Sequence, residues 1–265
     1  WADTNRVMLR NRRIGCSVSG VAQFVTNRGL DSFKEWLNDG YNVIQDWDKQ
    51  YSDWFAVPRS IKTTSVKPSG TVSLLAGATP GLHYPESRFY IRRIRLSKHS
   101  ELIDPMKKAG YKIEPAFGSE DTTSVVEVPV DVGEGIRTAG ELTIWEQFAI
   151  AAFMQRHWAD NQVSCTVTFN PETESEHIPH VLNYFQYHLK GISLLPRHDY
   201  GAYKQMPYES IDEKEYNKQV KKLGKLSFGV IHKEEANIEK FCDGDFCDVE
   251  VISTTGDNDD QEYAN

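Results

Sequence analysis

The 265-residue sequence has only four cysteines, no apolar run near the length that crosses a bilayer, and no excess of basic charge. Each absence excludes something. Four thiols in a chain this long do not make the cross-linked framework of a small secreted domain. Without about 20 consecutive apolar residues there is no membrane-spanning helix to place. The start carries no signal-peptide pattern, so a cytoplasmic location is expected. The formal net charge is -8, with 38 acidic and 30 basic side chains. That leaves no positive field for direct nucleic-acid binding, and a nucleotide would have to be held by local groups. The chain opens on Trp1 rather than methionine and is expected to be a piece of a longer protein.

What is present is ordinary for a globular protein: 39% hydrophobic and 26% charged residues. The length suffices for one large domain or two small ones. The charge imbalance is confined to the end. Residues 239–265 hold nine acidic side chains against the single base Lys240. From about Asn237 the composition turns acidic and rich in Gly, Ser, Thr and Asp. A folded body over residues 1–236 and a flexible acidic tail over 237–265 are therefore expected.

Residues 1–12 read as the end of a helix, with a short strand at 15–18. Over 30–55, Phe33, Trp36, Leu37, Tyr41, Ile44, Trp47, Tyr51 and Trp54 recur at spacings of three and four. That pattern predicts an amphipathic helix whose aromatic stripe is core, with Asp31 as N-cap. The β-branched run 61–66 reads as a strand, followed by a short apolar segment at 72–76 and a Gly/Pro turn at 77–81. Further strands are expected at 88–95, 111–117, 124–130 and 163–169. Helices are expected at 99–109, 142–158, 172–190 (with a break at Pro179) and 212–223. Strands alternating with helices indicate an α/β architecture.

Two stretches carry candidate chemistry. Lys67-Pro68-Ser69-Gly70-Thr71-Val72-Ser73 directly follows the expected strand 61–66. Phosphate oxygens need several converging donors, and a Gly-containing turn entering a helix supplies backbone N–H groups and a favourable dipole. Gly70 permits close approach, and the hydroxyls of Ser69, Thr71 and Ser73 add donors. An ordinary Pro-Ser-Gly turn is the alternative. The second stretch is Cys242-Asp-Gly-Asp-Phe-Cys247. Two cysteines on a mobile tail can close into a disulfide and exchange with other thiols. Half of a zinc site, with His232 upstream, and a chance pair are the alternatives. The acidic neighbours disfavour thiolates, which argues against a strongly activated nucleophile.

Other residues weigh less. Glu174, Glu176, His177 and His180 read as a solvated helix start rather than a metal cluster, and no metal is expected. Cys165 reads as a buried inert thiol and Cys16 has no catalytic motif. Arg92, Arg93 and Arg95 are explained by solvent exposure or ion pairing as well as by phosphate contact.

Four segments then match one family in order. They are Asn11-Arg-Arg-Ile-Gly-Cys-Ser-Val-Ser-Gly20, Thr64-Ser-Val-Lys-Pro-Ser-Gly-Thr-Val-Ser-Leu-Leu-Ala-Gly-Ala-Thr-Pro-Gly-Leu-His83, Arg88-Phe-Tyr-Ile-Arg-Arg-Ile-Arg95 and Trp158-Ala-Asp-Asn-Gln-Val-Ser-Cys-Thr-Val-Thr-Phe169. Together they resemble the C-terminal half of the monomeric class II ribonucleoside-triphosphate reductases. Cys242 and Cys247 resemble that family's tail dithiol in place and spacing.

The resemblance implies the later strands of a ten-stranded α/β barrel. It implies that Pro68, Ser69, Gly70, Thr71, Val72 and Ser73 hold the phosphates of a ribonucleoside triphosphate at a helix N-terminus. It implies that Cys242 and Cys247 pass reducing equivalents from thioredoxin or a similar dithiol to an active-site disulfide. It also implies adenosylcobalamin as cofactor, generating a cysteine thiyl radical. The family's Asn-Pro-Cys-x-Glu finger loop, with its radical cysteine and catalytic glutamate, is absent from this sequence. The chain alone is thus expected to be inactive and to need the missing N-terminal part as a partner. Two other readings stay open from the residues themselves: a non-catalytic half-barrel that grips nucleotides or a partner chain, and a zinc-binding tail on an unrelated α/β domain.

Overall fold

The structure is a computed structural model that describes residues 1–70, 72–197 and 204–227. In chain order its elements are α1 (Ala2–Asn11), α2 (Val21–Trp54), β1 (Phe89–Ser97), α3 (Ile103–Lys108), β2 (Lys112–Pro115), β3 (Thr123–Asp131), α4 (Ile144–His157), β4 (Thr166–Phe169), α5 (Pro171–Glu174), α6 (Ile178–Phe185), β5 (Ser193–Pro196), β6 (Tyr208–Ser210) and α7 (Glu213–Val220). Short 3-10 helices cover Val72–Ala76, Ala139–Glu141 and Ser175–His177. Among the described residues no helix is long and apolar enough to cross a membrane.

The helix starts follow local chemistry. Thr143 and Glu146 form a capping box at α4: the Thr143 hydroxyl accepts from the Glu146 backbone N–H, and the Glu146 carboxylate accepts from the Thr143 N–H at 2.9 Å. Asp212 caps α7 by accepting from Glu215 N at 2.7 Å. The helix expected from residue 30 instead starts at Val21, with Gly20 rather than Asp31 as N-cap. Gly29, at φ 79° and ψ 167°, interrupts the helical backbone, and the helix resumes directly after it. This is why the apolar periodicity becomes legible only from Leu30. The helix expected over 172–190 is split into α5, the 3-10 turn Ser175–His177 and α6, which starts with Pro179 in its first turn.

β1, β2, β3 and β6 form an antiparallel sheet in the order β2-β3-β1-β6. Lys112, Glu127 and Arg93 stand directly opposite one another across three strands. Glu127 is buried and its carboxylate accepts from Arg93 Nε and Lys112 Nζ, each at 3.0 Å. Arg93 also pairs with Glu209. Arg92 is buried, lies over the Tyr208 ring at 4.5 Å and donates to the carbonyls of Arg93 and Pro207. These two arginines therefore hold the sheet together.

The second array is parallel. β4 pairs with β5, and isolated parallel bridges join Val66 to Val163 and Cys16 to Thr64. Four extended segments thus lie side by side in the order 14–17, 62–67, 163–169 and 193–196, linked by bonds such as Ile14 N to Lys62 O and Ser164 N to Val66 O. The strands expected at 15–18 and 61–66 are extended as predicted but make only single bridges rather than ladders. The array does not close. The later barrel strands expected here correspond to an open parallel array beside an antiparallel sheet; closure needs neighbours for both outer segments, and the described residues supply none.

α4 lies between two cores. On one side Ile150, Ala151, Met154 and Trp158 meet Val21, Phe33 and Leu37 of α2 with Val66, Val163 and Cys165. On the other, Ile144 and Phe148 meet Val167, Phe169, Val181 and Phe185. Met154 and Phe148 are fully buried, each stabilising the fold by on the order of 2–3 kcal/mol. Trp158 Nε1 donates to Ser65 O at 2.9 Å, which anchors the extended segment before the candidate phosphate loop.

Candidate functional site

The candidate loop begins where the 62–67 segment ends, at the C-terminal edge of the parallel array. In open α/β arrays this edge is where ligands bind. The neighbouring segment 14–17 ends at the same edge, and the two loops that leave it touch. Ser17 Oγ accepts from Lys67 N at 3.0 Å, and the hydroxyls of Ser19 and Ser69 are hydrogen-bonded. The loop is tied back on itself from Ser73 N to Ser69 O at 3.0 Å and from Ala78 N to Ser73 O at 3.0 Å.

Its far limb is clamped from α2. Gln23 accepts from Thr79 N at 2.8 Å and donates to Gly77 O at 2.9 Å. Gly20 N donates to Thr79 O at 2.8 Å. Gly81 sits at φ 50°, and a β carbon there would stand 2.4 Å from Lys67 O. Just beyond, His83 Nε2 accepts from Thr166 N at 3.1 Å, which joins the loop to β4 and leaves that nitrogen unprotonated.

Within the loop the predicted residues divide. Ser69 is half-buried and adopts φ 50°, a left-handed conformation that costs a non-glycine residue on the order of 1 kcal/mol or more. Such strain is concentrated at functional sites. The Ser69 hydroxyl also accepts from Gly81 N at 3.3 Å. Ser19 and Ser69 together own two hydroxyl protons, and their mutual bond uses one. Gly70 is buried and Pro68 half-buried, whereas the Val72 side chain is exposed. Ser73 is only 3% exposed and its hydroxyl has no hydrogen-bond partner among the described residues, as is true of Thr79. Thr71 lies outside the described residues.

One expectation is corrected. The helix meant to aim its dipole at phosphate is the five-residue 3-10 segment Val72–Ala76, too short for a substantial macrodipole. The donors available are local hydroxyl and backbone groups.

The structure joins the stretch from Pro68 to Ser73 with Ser17, Ser19, Gln23 and Gly81, which the sequence did not mark as parts of the same construction. Ser17, Ser19 and Gly81 stood in quoted motifs, yet 50 residues separate Ser19 from Ser69 and no periodicity links them. Cys242 and Cys247 lie outside the described residues. Cys16 is exposed and Cys165 is buried in the core, neither in a disulfide.

The other candidates are structural. Glu174 accepts from Ile144 N and from Asn170 N, each at 2.8 Å, and lies 3.4 Å from Arg197. It is thereby turned away from a metal role with the exposed Glu176, His177 and His180. Among the described residues no group of three His, Cys, Asp or Glu side chains is placed to hold a metal. Two clefts stand elsewhere. One of about 470 Å³ is lined by the interlocked charges of Arg93, Lys112, Glu114 and Glu127. One of about 380 Å³ runs along Phe148, Phe185 and Ile192.

No protein-family model matches the chain. Similar proteins do. It is 53% identical over 252 residues to the adenosylcobalamin-dependent ribonucleoside-triphosphate reductase of Euglena gracilis, covering 93% of this chain and 35% of that protein. It is 53% identical over 253 residues to the probable enzyme of the same name from Dictyostelium discoideum, covering 94% of this chain and 33% of that one. The crystal structure of a B12-dependent, class II ribonucleotide reductase superposes with a TM-score of 0.73 at 32% identity, over 84% of this chain and 35% of that chain. The chain spans about a third of the length of the curated relatives it matches.

Proposed function

The chain belongs to the family of adenosylcobalamin-dependent ribonucleoside-triphosphate reductases, and we propose that it forms the C-terminal part of the catalytic body of such an enzyme. Together with the two thirds of the relatives that it does not span, it converts ribonucleoside triphosphates to 2′-deoxyribonucleotides in the cytoplasm. The observation that carries this reading is 53% identity across 93% of the chain to a reductase three times as long.

Within that enzyme the loop from Pro68 to Ser73 binds the substrate phosphates. Its position at the C-terminal edge of the array, the left-handed Ser69 and the paired hydroxyls of Ser19 and Ser69 support this role. Local donors fit a triphosphate that is already accompanied by counterions, since the chain carries no broad basic field.

Cys242 and Cys247 serve as the reductant relay. When ribose loses its 2′-hydroxyl as water, a cysteine pair in the active site gives up two electrons and two protons and becomes a disulfide. The thiols of Cys242 and Cys247 reduce that disulfide by exchange and become a disulfide themselves, and thioredoxin or a similar dithiol reduces it in turn.

The cofactor is held by the assembled enzyme. Neither cleft on this chain suits a corrin: one is filled with paired charges and the other lies against the apolar core. The radical cysteine and the catalytic carboxylate likewise belong to the part of the enzyme not spanned here, so the chain alone does not turn over.

The relay is tested in the assembled enzyme by replacing Cys242 and Cys247 with Ser. Turnover supported by thioredoxin is expected to stop, and turnover supported by a small dithiol that enters the active site is expected to continue. Unchanged thioredoxin-supported turnover would refute the relay. Bound zinc lost on the same replacement would instead identify a metal site.

A further inference from the structure

Only part of the expected α2 stripe is core: Phe33 and Leu37 are buried, with Tyr41 and Ile44 packed against them, and the rest is exposed. Trp36, Val43, Trp47, Tyr51 and Trp54 lie on one side of the helix, Trp54 standing 18 residues, or five full turns, from Trp36. With Phe55 their exposure runs from 45% at Tyr51 to 69% at Phe55. The Tyr51 ring contacts those of Trp47, Trp54 and Phe55, at centroid distances of 5.2, 5.5 and 6.2 Å. Aromatic side chains of about 150–250 Å² each leave several hundred Å² of contiguous apolar surface here, as much as the largest patch of a typical monomer or more.

The stripe lies beside the face that packs on α4, not opposite it. Phe33 and Leu37 are buried in that core while Trp36, between them in sequence, is not. Two other parts of the chain are also open. Helix α1 has no buried residue and exposes Met8 and Leu9. A ten-residue helix without a partner is marginal in water. Segment 14–17, the outer member of the parallel array, exposes Ile14 and Cys16. Arg12 joins these regions to the buried side of α2 by donating to Ser52 Oγ at 3.1 Å.

We propose that the α2 stripe from Trp36 to Phe55 is where the rest of the reductase docks. The inference rests on the reading of the chain as one third of such an enzyme. Two thirds of the relatives' length is available as partner, and an uncovered α/β edge and an uncovered helix face are what a divided core leaves behind. The acidic tail is the wrong occupant. Residues 21–54 carry six acidic side chains against three basic ones, and 239–265 nine against one. The two repel, whereas a partner with an apolar centre and a basic rim is complementary.

The test mixes this chain with the portion of a 53% identical relative that it does not span, and measures association and turnover separately. Trp47→Lys and Trp54→Lys are each expected to weaken association by about tenfold or more, as for buried aromatic anchors. Because both side chains are exposed in the chain alone, its circular dichroism and melting temperature should not change. Tyr187→Lys, at an 89% exposed position after α6, should bind like the unaltered chain. Equal association of the Trp variants and the unaltered chain overturns the inference. So does a chain that dimerises through Trp47 and Trp54 but joins the remainder regardless of them. Turnover with no effect of the Trp variants removes the docking surface and leaves the reductase reading standing. Trp-dependent association without turnover does the reverse.

Discussion

Gly81 and Lys67 meet backbone to backbone, and a β carbon on Gly81 would lie 2.4 Å from the Lys67 carbonyl oxygen. The close approach joins the two limbs of the candidate phosphate loop. At φ 50° the position also disfavours any side chain. Gly81→Ala is expected to destabilise the chain by about 1–3 kcal/mol. It should also lower triphosphate affinity in the assembled enzyme. Chemical unfolding and equilibrium binding check the two effects; an unchanged unfolding midpoint would show that the limbs can separate at no cost.

Ser19 and Ser69 share one hydrogen bond between their hydroxyls. Ser69→Ala and Ser19→Ala are each expected to weaken ribonucleoside-triphosphate binding by the assembled enzyme, by roughly 3- to 30-fold. The double variant should lose less than the two single effects combined, because either deletion already breaks the shared bond. Full additivity would show that the hydroxyls act separately.

Glu146 closes the capping box of α4 and accepts from Arg137 Nη1 at 2.7 Å. The Arg137 hydrogen bond, joined by the Thr143 N–H, lowers its pKa to about 2. A depressed folded-state pKa contributes stability that is fully present above the ordinary carboxylate range. That contribution is lost as pH falls from about 4.5 through about 2. Glu146→Gln should therefore be less stable than the parent at pH 7, by about 0.5–2 kcal/mol for a lost cap interaction. The gap should shrink below pH 4. A constant difference from pH 7 to pH 2 would contradict the assignment.

Asp160 ties α2 to the segment that leads into the loop. Its carboxylate accepts from Thr63 N at 2.9 Å, Thr63 Oγ1 at 3.0 Å and Tyr41 Oη at 3.0 Å. Burial pushes its pKa up, but the Thr63 and Tyr41 hydrogen bonds outweigh burial and the net displacement is downward. Asp160→Ala leaves these donors without their acceptor and should cost about 1–3 kcal/mol at neutral pH. Hydrogen exchange at Thr63 should rise accordingly. Unaltered protection there would mean that backbone pairing alone holds the segment.

Much of the fold was legible in local pattern. The helix expected at 142–158 is α4, where a Thr-x-x-Glu start precedes a nearly all-round apolar run that two cores cover. The alternating run at 124–130 is β3. The α2 aromatics misled because periodicity reports an apolar face, not what lies against it; Phe33 and Leu37 are buried in the core with α4, while Trp36, Trp47 and Trp54 stay exposed and, among the described residues, their rings contact only rings of their own helix. The run 61–66 looked like a strand and is extended, but its neighbours on both sides are separated from it by at least 45 residues in sequence. The Ser69–Ser19 contact was hidden for the same reason. Pairings of this kind arise from the order of parallel segments, which no local signal encodes.

The central claim is that this chain supplies an indispensable third of a ribonucleotide reductase. Its most direct test is the formation of deoxyribonucleoside triphosphate when the chain is combined with the remaining portion of a close relative, adenosylcobalamin and a dithiol. The account predicts product only when both portions are present, and none from either alone. Turnover by the relative's portion without this chain, or no product from a demonstrably associated pair, would contradict it.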